Sequence, residues 1–140
     1  MAAVPKTIRM PDEVRLPLEE EASTSRRDFS SIVNEMLAEG IKMRRIPGVV
    51  FADSPTGARV ARVAGTGLEV FEVIQGFRSV EKSWTRLKEA YHWLSDVQLR
   101  AALAYAEAYP NEIEEHIRQD ERWTADALTK RYPFMSPRRR

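Results

Sequence analysis

One short alternating stretch near the start of this 140-residue chain constrains its fold most, because it stands alone in a sequence that otherwise has helical periodicity. Apolar Ile8 and Met10 alternate with polar Thr7 and Arg9, with Lys6 ahead of them. This two-residue period predicts a β-strand over residues 6–10. A lone strand leaves its backbone N–H and C=O groups unpaired. The sequence therefore predicts a partner strand, with the same stretch of a second copy as the nearest candidate. The alternative is an ordinary edge strand of a mixed domain.

Helical periodicity follows the alternating stretch. A first helix is predicted from the four-residue spacing of Val14, Leu18 and Ala22. Because Pro17 interrupts this pattern, the helix is either kinked there or begins near Pro17. The composition of residues 23–27 predicts a turn. A second helix is predicted from residue 28, because one of its faces is apolar: Phe29, Ile32, Val33, Met36, Leu37 and Ile41. Pro47 and Gly48 break this pattern and predict a domain boundary.

The rest of the chain predicts a hairpin and further helices. Residues 49–51 and 59–63 are strand candidates, and the loop between them contains Pro55 and Gly57. Helices are expected over residues 68–77, 80–91, 96–109 and 111–127. The third of these should begin at a capping box, because Ser95 and Gln98 have the required spacing.

Composition narrows the functional classes. The chain has no cysteine, which excludes disulfides and cysteine metal sites, and its two histidines, His92 and His116, are far apart. Gly65-Thr66-Gly67 lacks the remaining residues of a phosphate-binding loop and predicts a tight turn before a helix. The carboxylates of residues 112–115 have no matching base, so a solvated helix face is the better interpretation. We expect no cofactor and no metal, and the protein is not expected to be an enzyme.

Charge and hydropathy add two further expectations. No apolar run approaches the roughly 20 residues needed to cross a bilayer, and the first residues lack the apolar segment of a signal peptide. We therefore expect a cytoplasmic protein without a membrane partner. The net charge is only +1, so an interaction with nucleic acid has to depend on local charge placement.

The first part of the chain resembles the ribbon-helix-helix fold of the Arc/MetJ/CopG repressors. The resemblance is carried by the strand and helix start at residues 6–13, the turn at 25–28 and the helix at 29–41. In that family two chains pair their strands into an antiparallel ribbon that enters the DNA major groove. The resemblance implies a homodimer bound to operator DNA. Two departures are the absence of a glycine from the turn and the presence of Pro17.

The same resemblance assigns DNA-contacting residues. Ile8 and Met10 would face the helices, and Thr7 and Arg9 would face outward, where Arg9 can contact guanine with two hydrogen bonds. The turn and the free N–H groups of the second helix would hold phosphates, whereas Glu19, Glu20 and Glu21 would lie away from DNA. The predicted DNA-binding residues are Pro5, Lys6, Thr7 and Arg9 on the ribbon and Ser25, Arg26 and Arg27 at the turn.

A second resemblance covers residues 48–109. Residues 59–67 (RVARVAGTG), 69–70 (EV), 91–95 (YHWLS) and 99–106 (LRAALAYA) are similar to an uncharacterised family of small trihelical domains found in bacterial VapB-type antitoxins. The pattern of that family is a short hairpin, a Gly-Thr turn and three helices arranged like a helix-turn-helix. Genes of that family commonly neighbour PIN-like ribonuclease toxins, so the resemblance implies such a toxin as partner.

These patterns predict a mainly α-helical chain in three segments. Residues 1–46 form a ribbon-helix-helix domain for DNA binding and dimerisation, 47–110 form the trihelical domain with its hairpin, and 111–140 form a C-terminal helix and basic tail. We expect the protein to be the antitoxin of a type II toxin–antitoxin module, which represses its own operon and neutralises a PIN-like ribonuclease toxin. The alternatives are a ribbon-helix-helix regulator without a toxin partner and, less favoured, an enzyme or nucleotide-binding protein.

Aromatic residues divide into expected core and expected contact positions. Trp84 and Trp93 are predicted to lie in the core, and Trp123, in a polar context, is predicted to be an exposed anchor for a partner. The candidate toxin-binding residues are Trp123, Arg131, Tyr132, Phe134, Arg138, Arg139 and Arg140. The alternative is that the tail packs back on the second domain.

Overall fold

The computed structural model describes residues 3–131, apart from the side chains of residues 127, 128 and 131. These residues form six helices and one two-stranded antiparallel sheet, which confirms the mainly helical class. The chain divides into two compact units, residues 1–42 and 43–140. We describe each unit by itself.

The first unit contains helix α1, Asp12–Ser25, and most of helix α2, Phe29–Arg45. α1 begins directly after Pro11, and Asp12 and Glu13 in its first turn interact favourably with the helix dipole. Pro17 lies inside α1, so the alternative of a helix that begins near Pro17 is wrong. The turn predicted over residues 23–27 is also too early, because α1 continues through Ser25.

The strand predicted over residues 6–10 is not present in the single chain. Residues 3–11 have no regular secondary structure, and Ile8 is 63% exposed instead of facing the helices. A strand requires hydrogen bonds to a neighbouring strand, and no described residue supplies them. The ribbon-helix-helix arrangement therefore stays a prediction about two chains.

The second unit begins with the predicted hairpin. Strand β1, Val49–Asp53, pairs antiparallel with strand β2, Arg59–Val63, in a register that places Val49 opposite Val63. The tight turn predicted at residues 65–67 is confirmed. Gly65 has a φ of +77°, and the Thr66 hydroxyl donates to the Val63 carbonyl and accepts from the Leu68 N–H.

Four helices complete this unit: α3, Val70–Ser79; α4, Trp84–Ala90; α5, Asp96–Ala108; and α6, Pro110–Arg131. The capping box of Ser95 and Gln98 at the start of α5 is confirmed. Pro110 does not merely end α5 but occupies the first position of α6, where its missing N–H leaves no intrahelical bond unmade. α4 begins at Trp84 and not at Val80, because Glu81 and Lys82 both take positive φ values.

α5 lies at the centre of the second core. Leu99, Ala102 and Tyr105 are fully buried and pack with the hairpin, α3 and α6. α6 contributes Ile113 and Ile117 to the same core. Trp84 is half-buried at the edge of this core, but Trp93 is 61% exposed, so its predicted core position is wrong. Trp93 lies in the turn before α5, where its neighbour Leu94 is buried instead.

Gly76, inside α3, allows Tyr91 to approach the helix closely. A Cβ at this position would lie 2.8 Å from the Tyr91 Oη and 2.9 Å from its Cε2.

We expect Gly76→Ala to lower the free energy of unfolding by roughly 1 kcal/mol, because overpacking costs about 1–3 kcal/mol and exceeds the roughly 1 kcal/mol gain in helix propensity. Urea unfolding followed by circular dichroism measures this change. In a Tyr91→Leu background the same substitution should be neutral or stabilising; equal effects in both backgrounds would contradict the assignment.

Candidate nucleic-acid interface

The predicted base-contacting residues all lie in the extended segment before α1. Pro5, Lys6, Thr7 and Arg9 are exposed. Within the described residues, none of them makes a hydrogen bond or ion pair. Met10 is half-buried while Ile8 is exposed, so the single chain does not separate an inward and an outward face of this segment. The segment offers two cations and unpaired backbone groups to a ligand or a second chain.

The turn between α1 and α2 is built on Arg26. Its backbone is left-handed, with φ 55° and ψ 38°. The N–H of Arg26 donates to the Ser23 carbonyl at 3.3 Å, and the N–H of Arg27 donates to the Ala22 carbonyl at 3.0 Å. This is the Schellman arrangement, in which glycine is the usual left-handed residue. Arg26 therefore takes the place of the glycine that the sequence lacks.

Arg26 and Arg27 differ in availability. Arg26 is exposed, and its guanidinium has no ion-pair partner in the part of the chain that the structure describes. Arg27 donates to both carboxylate oxygens of Glu35, at 2.9 and 3.0 Å. These hydrogen bonds raise the pKa of Arg27 above its ordinary value. A phosphate at Arg27 has to compete with Glu35, whereas a phosphate at Arg26 does not.

The other predicted phosphate contacts are partly occupied. The Ser25 hydroxyl donates to the Glu21 carbonyl at 2.7 Å, which uses its single donor. The Asp28 carboxylate accepts from the Ser31 N–H at 3.3 Å and so caps the start of α2. The expectation of free N–H groups at this helix start is therefore wrong for Ser31. Neither Glu35 nor Asp28 was identified from the sequence, although Asp28 stands at a cap position.

The first unit also leaves its apolar side chains uncovered. No residue of α1 is buried, and Ile32 is the buried residue of α2. Leu37 and Met36, both on the predicted apolar face of the second helix, are 56% and 45% exposed. We define the exposed apolar set of the first unit as the following side chains: Val4, Ile8, Val14, Leu16, Phe29, Met36, Leu37 and Ile41.

The candidate toxin-binding residues lie in the last part of the chain. Trp123 is 73% exposed, as predicted, and all of residues 121–126 in α6 are exposed. The backbone of Arg131 ends α6, and its side chain is not described. The other five residues of this set lie outside the described residues: Tyr132, Phe134, Arg138, Arg139 and Arg140.

In the second unit, several ionisable side chains make contacts that stabilise the fold. Burial raises the pKa of the Glu69 carboxyl, and the nearby Glu72 raises it further. These two glutamates form the capping box of α3. The Glu112 carboxylate accepts from the Tyr105 hydroxyl, and His116 stacks on Phe71 with ring centroids 5.9 Å apart. Within residues 3–131, no three His, Cys, Asp or Glu side chains are grouped closely enough to hold a metal ion.

Comparisons with known proteins give no match: no family model fits this sequence, no curated protein aligns with it, and no solved structure is similar to it. In the described part of the chain, no helix combines the length and the apolarity that a membrane span requires.

Arg26→Gly should stabilise the turn, because a left-handed backbone costs a residue with a Cβ roughly 1–2 kcal/mol, of which the greater freedom of glycine in the unfolded chain takes back about half. We expect the free energy of unfolding to rise by about 0.5–1 kcal/mol. Arg26→Ala is the matched control and should show no such gain, because alanine has the same Cβ. Urea unfolding followed by helical circular dichroism measures both. Equal stabilities of the two variants would show that the turn is not strained.

Proposed function

We propose that this chain is a dimeric DNA-binding antitoxin whose first unit binds operator DNA and whose second unit and C-terminal helix hold a PIN-like ribonuclease toxin. One observation carries the dimer on which the DNA-binding part of this proposal rests. The first unit has an exposed apolar set and an unpaired extended segment together, and pairing with a second copy covers both.

The dimer follows from backbone and apolar surface alike. Two copies of residues 6–10, paired antiparallel, supply each other's missing backbone hydrogen bonds. Burial of a large apolar side chain contributes about 1.5–3 kcal/mol, and each copy has several to bury. The exposed fraction of Leu37, 56%, is the clearest case, because this residue lies in the middle of α2.

DNA binding follows from where the free cations lie. A two-stranded ribbon fits the major groove, where an arginine contacts guanine with two hydrogen bonds. Arg9 is the arginine of the extended segment, and Lys6 adds a second charge to it. Arg26 extends from the turn without an internal partner among the described residues. Arg9 therefore reads bases, and Arg26 positions the protein on phosphates.

Toxin binding is assigned to the outer half of α6. The inner half of this helix is anchored in the core through Ile113 and Ile117, and the Gln75 side chain donates to Asp120 at 3.1 Å. Beyond Asp120, residues 121–126 are exposed and include Trp123. An exposed tryptophan on an anchored helix is suited to a partner's apolar groove. The basic residues that follow it in sequence would pair with the acidic metal-binding residues of a PIN-like nuclease.

The DNA-binding part is tested by titrating the full chain with a duplex from upstream of its own gene and with a random duplex at several salt concentrations. Arg9→Ala should weaken operator binding by about 1–3 kcal/mol and relax specificity. Arg26→Ala should weaken binding to both duplexes equally. It should also reduce the slope of log K against log salt by about one. Equal losses on both duplexes for Arg9→Ala would contradict its base-reading role, and failure of the unsubstituted chain to bind either duplex would overturn the function.

Glu35 provides a further arm of the same titration. Glu35→Gln should strengthen binding to both duplexes, because it frees the Arg27 guanidinium for a phosphate. In an Arg27→Ala background, Glu35→Gln should give no such gain: the double variant should bind DNA no more tightly than Arg27→Ala alone. This comparison separates release of Arg27 from simple loss of a negative charge. Persistence of the gain in the double variant would show that Arg27 does not contact DNA.

Trp123→Ala should abolish most toxin neutralisation while operator affinity stays within a few-fold of the unsubstituted chain, because this side chain is exposed and contributes little to the core. The measurement is growth rescue of cells that express the neighbouring gene, with an operator shift assay on the same protein.

Trp93→Ala is the matched control for this test, since Trp93 is similarly exposed at 61% but lies before α5. It should rescue growth fully. Full rescue by Trp123→Ala would move the toxin contact elsewhere in the second unit. If the unsubstituted chain does not bind the neighbouring gene product, the alternative of a ribbon-helix-helix regulator without a toxin partner is favoured.

A further inference from the structure

Gly40 has no explanation within its own chain. It lies inside α2, five residues before the helix ends at Arg45, so it is not a helix-terminating glycine. Its φ is not in the positive region, unlike that of Gly48, Gly57 and Gly65. A Cβ at Gly40 would meet no atom within 4 Å, unlike a Cβ at Gly76. Glycine inside a helix is less stable than alanine, and no contact within the chain offsets this cost.

Gly40 lies at the centre of the apolar face of α2. Residues three, four and seven positions apart lie on the same face of a helix. Met36 and Leu37 precede Gly40 by four and three residues, and Val33 precedes it by seven. Met36 and Leu37 belong to the exposed apolar set, and Val33 is half-buried. The smallest residue of the helix therefore stands on the same face as its uncovered apolar side chains.

We propose that two α2 helices, one from each copy, cross in contact at Gly40, so that the backbones approach more closely there than a side chain would allow. This inference rests on the dimer of the proposed function and adds the point of crossing. The axes of packed helices are 8–10 Å apart, depending on the side chains at the contact. A glycine on each helix places the crossing at the short end of this range, and Met36 and Leu37 of each copy pack beside it.

The occupant of this face is a second copy and not an unrelated protein for two reasons. The same unit carries the extended segment of residues 3–11, whose backbone requires a partner of similar extended form. A second copy supplies that partner and the matching apolar face at once, and a two-fold axis brings the same residue of each copy together.

Analytical ultracentrifugation of the full chain tests the crossing point through two matched substitutions. Gly40→Ala and Asn34→Ala both raise helix propensity, but Asn34 lies six residues away on another face of α2 and is exposed. Gly40→Ala should raise the dimer dissociation constant at least tenfold, because each added methyl group lies between the two backbones. Asn34→Ala should leave it unchanged or lower it. A Gly40→Ala dimer as tight as that of Asn34→Ala would overturn the crossing at Gly40.

Cysteine crosslinking gives an independent readout, since the chain has no cysteine of its own. A disulfide needs Cα atoms about 4.4–6.8 Å apart, which two helices reach at their crossing point. Cysteine is larger than alanine and should also weaken the dimer, so the oxidation is run well above the dissociation constant of each variant. Under these conditions Gly40→Cys should form a covalent dimer much faster than Asn34→Cys. Equal rates would overturn the crossing while the dimer stands. A chain without substitutions that is monomeric at all concentrations would instead overturn the dimer, and with it the proposed function.

Discussion

Apolar surface has to be removed from water, and the two units of this chain meet this requirement differently. The second unit covers its own core, with Leu99 and Tyr105 of α5 fully buried against the hairpin and the neighbouring helices. The first unit buries Ile32 but leaves Leu37 more than half exposed. A two-helix segment has too little chain to surround its own apolar face. The dimer proposed above follows from this shortage and not from any single contact.

The agreement between sequence and structure depends on how local each determinant is. The capping box joins residues three positions apart, Ser95 and Gln98, and the hairpin joins two consecutive strands within residues 49–63; both were predicted correctly. The strand at residues 6–10 depends on a partner that the single chain does not supply. The start of α4 was misplaced because Glu81 and Lys82 adopt a left-handed backbone for which their side chains give no signal.

In the candidate interface too, features set by local sequence were predictable and a contact between distant positions was not. Exposure of Arg9 and Arg26 was predictable, since charged residues at a segment end and a turn rarely find internal partners. The ion pair of Arg27 with Glu35 was not, because it joins residues eight positions apart across a turn, outside the three- or four-residue spacing of pairs within one helix. The sequence alone assigned both turn arginines the same role. The structure distinguishes a free cation from a paired one.

Arg26 of the turn acts against stability, and the proposed function assigns it to phosphate binding. Arg26 occupies a left-handed position that glycine would occupy at lower cost, and its charge lies in solvent without an internal partner among the described residues. A fold selected for stability alone would place glycine there, and such conflicts between local preference and structure concentrate at functional sites. Gly40 presents the reverse case, a helix position where alanine would be more stable in the single chain. The proposed function and the proposed helix crossing account for both residues by a ligand outside the chain: a phosphate for Arg26 and a second copy for Gly40.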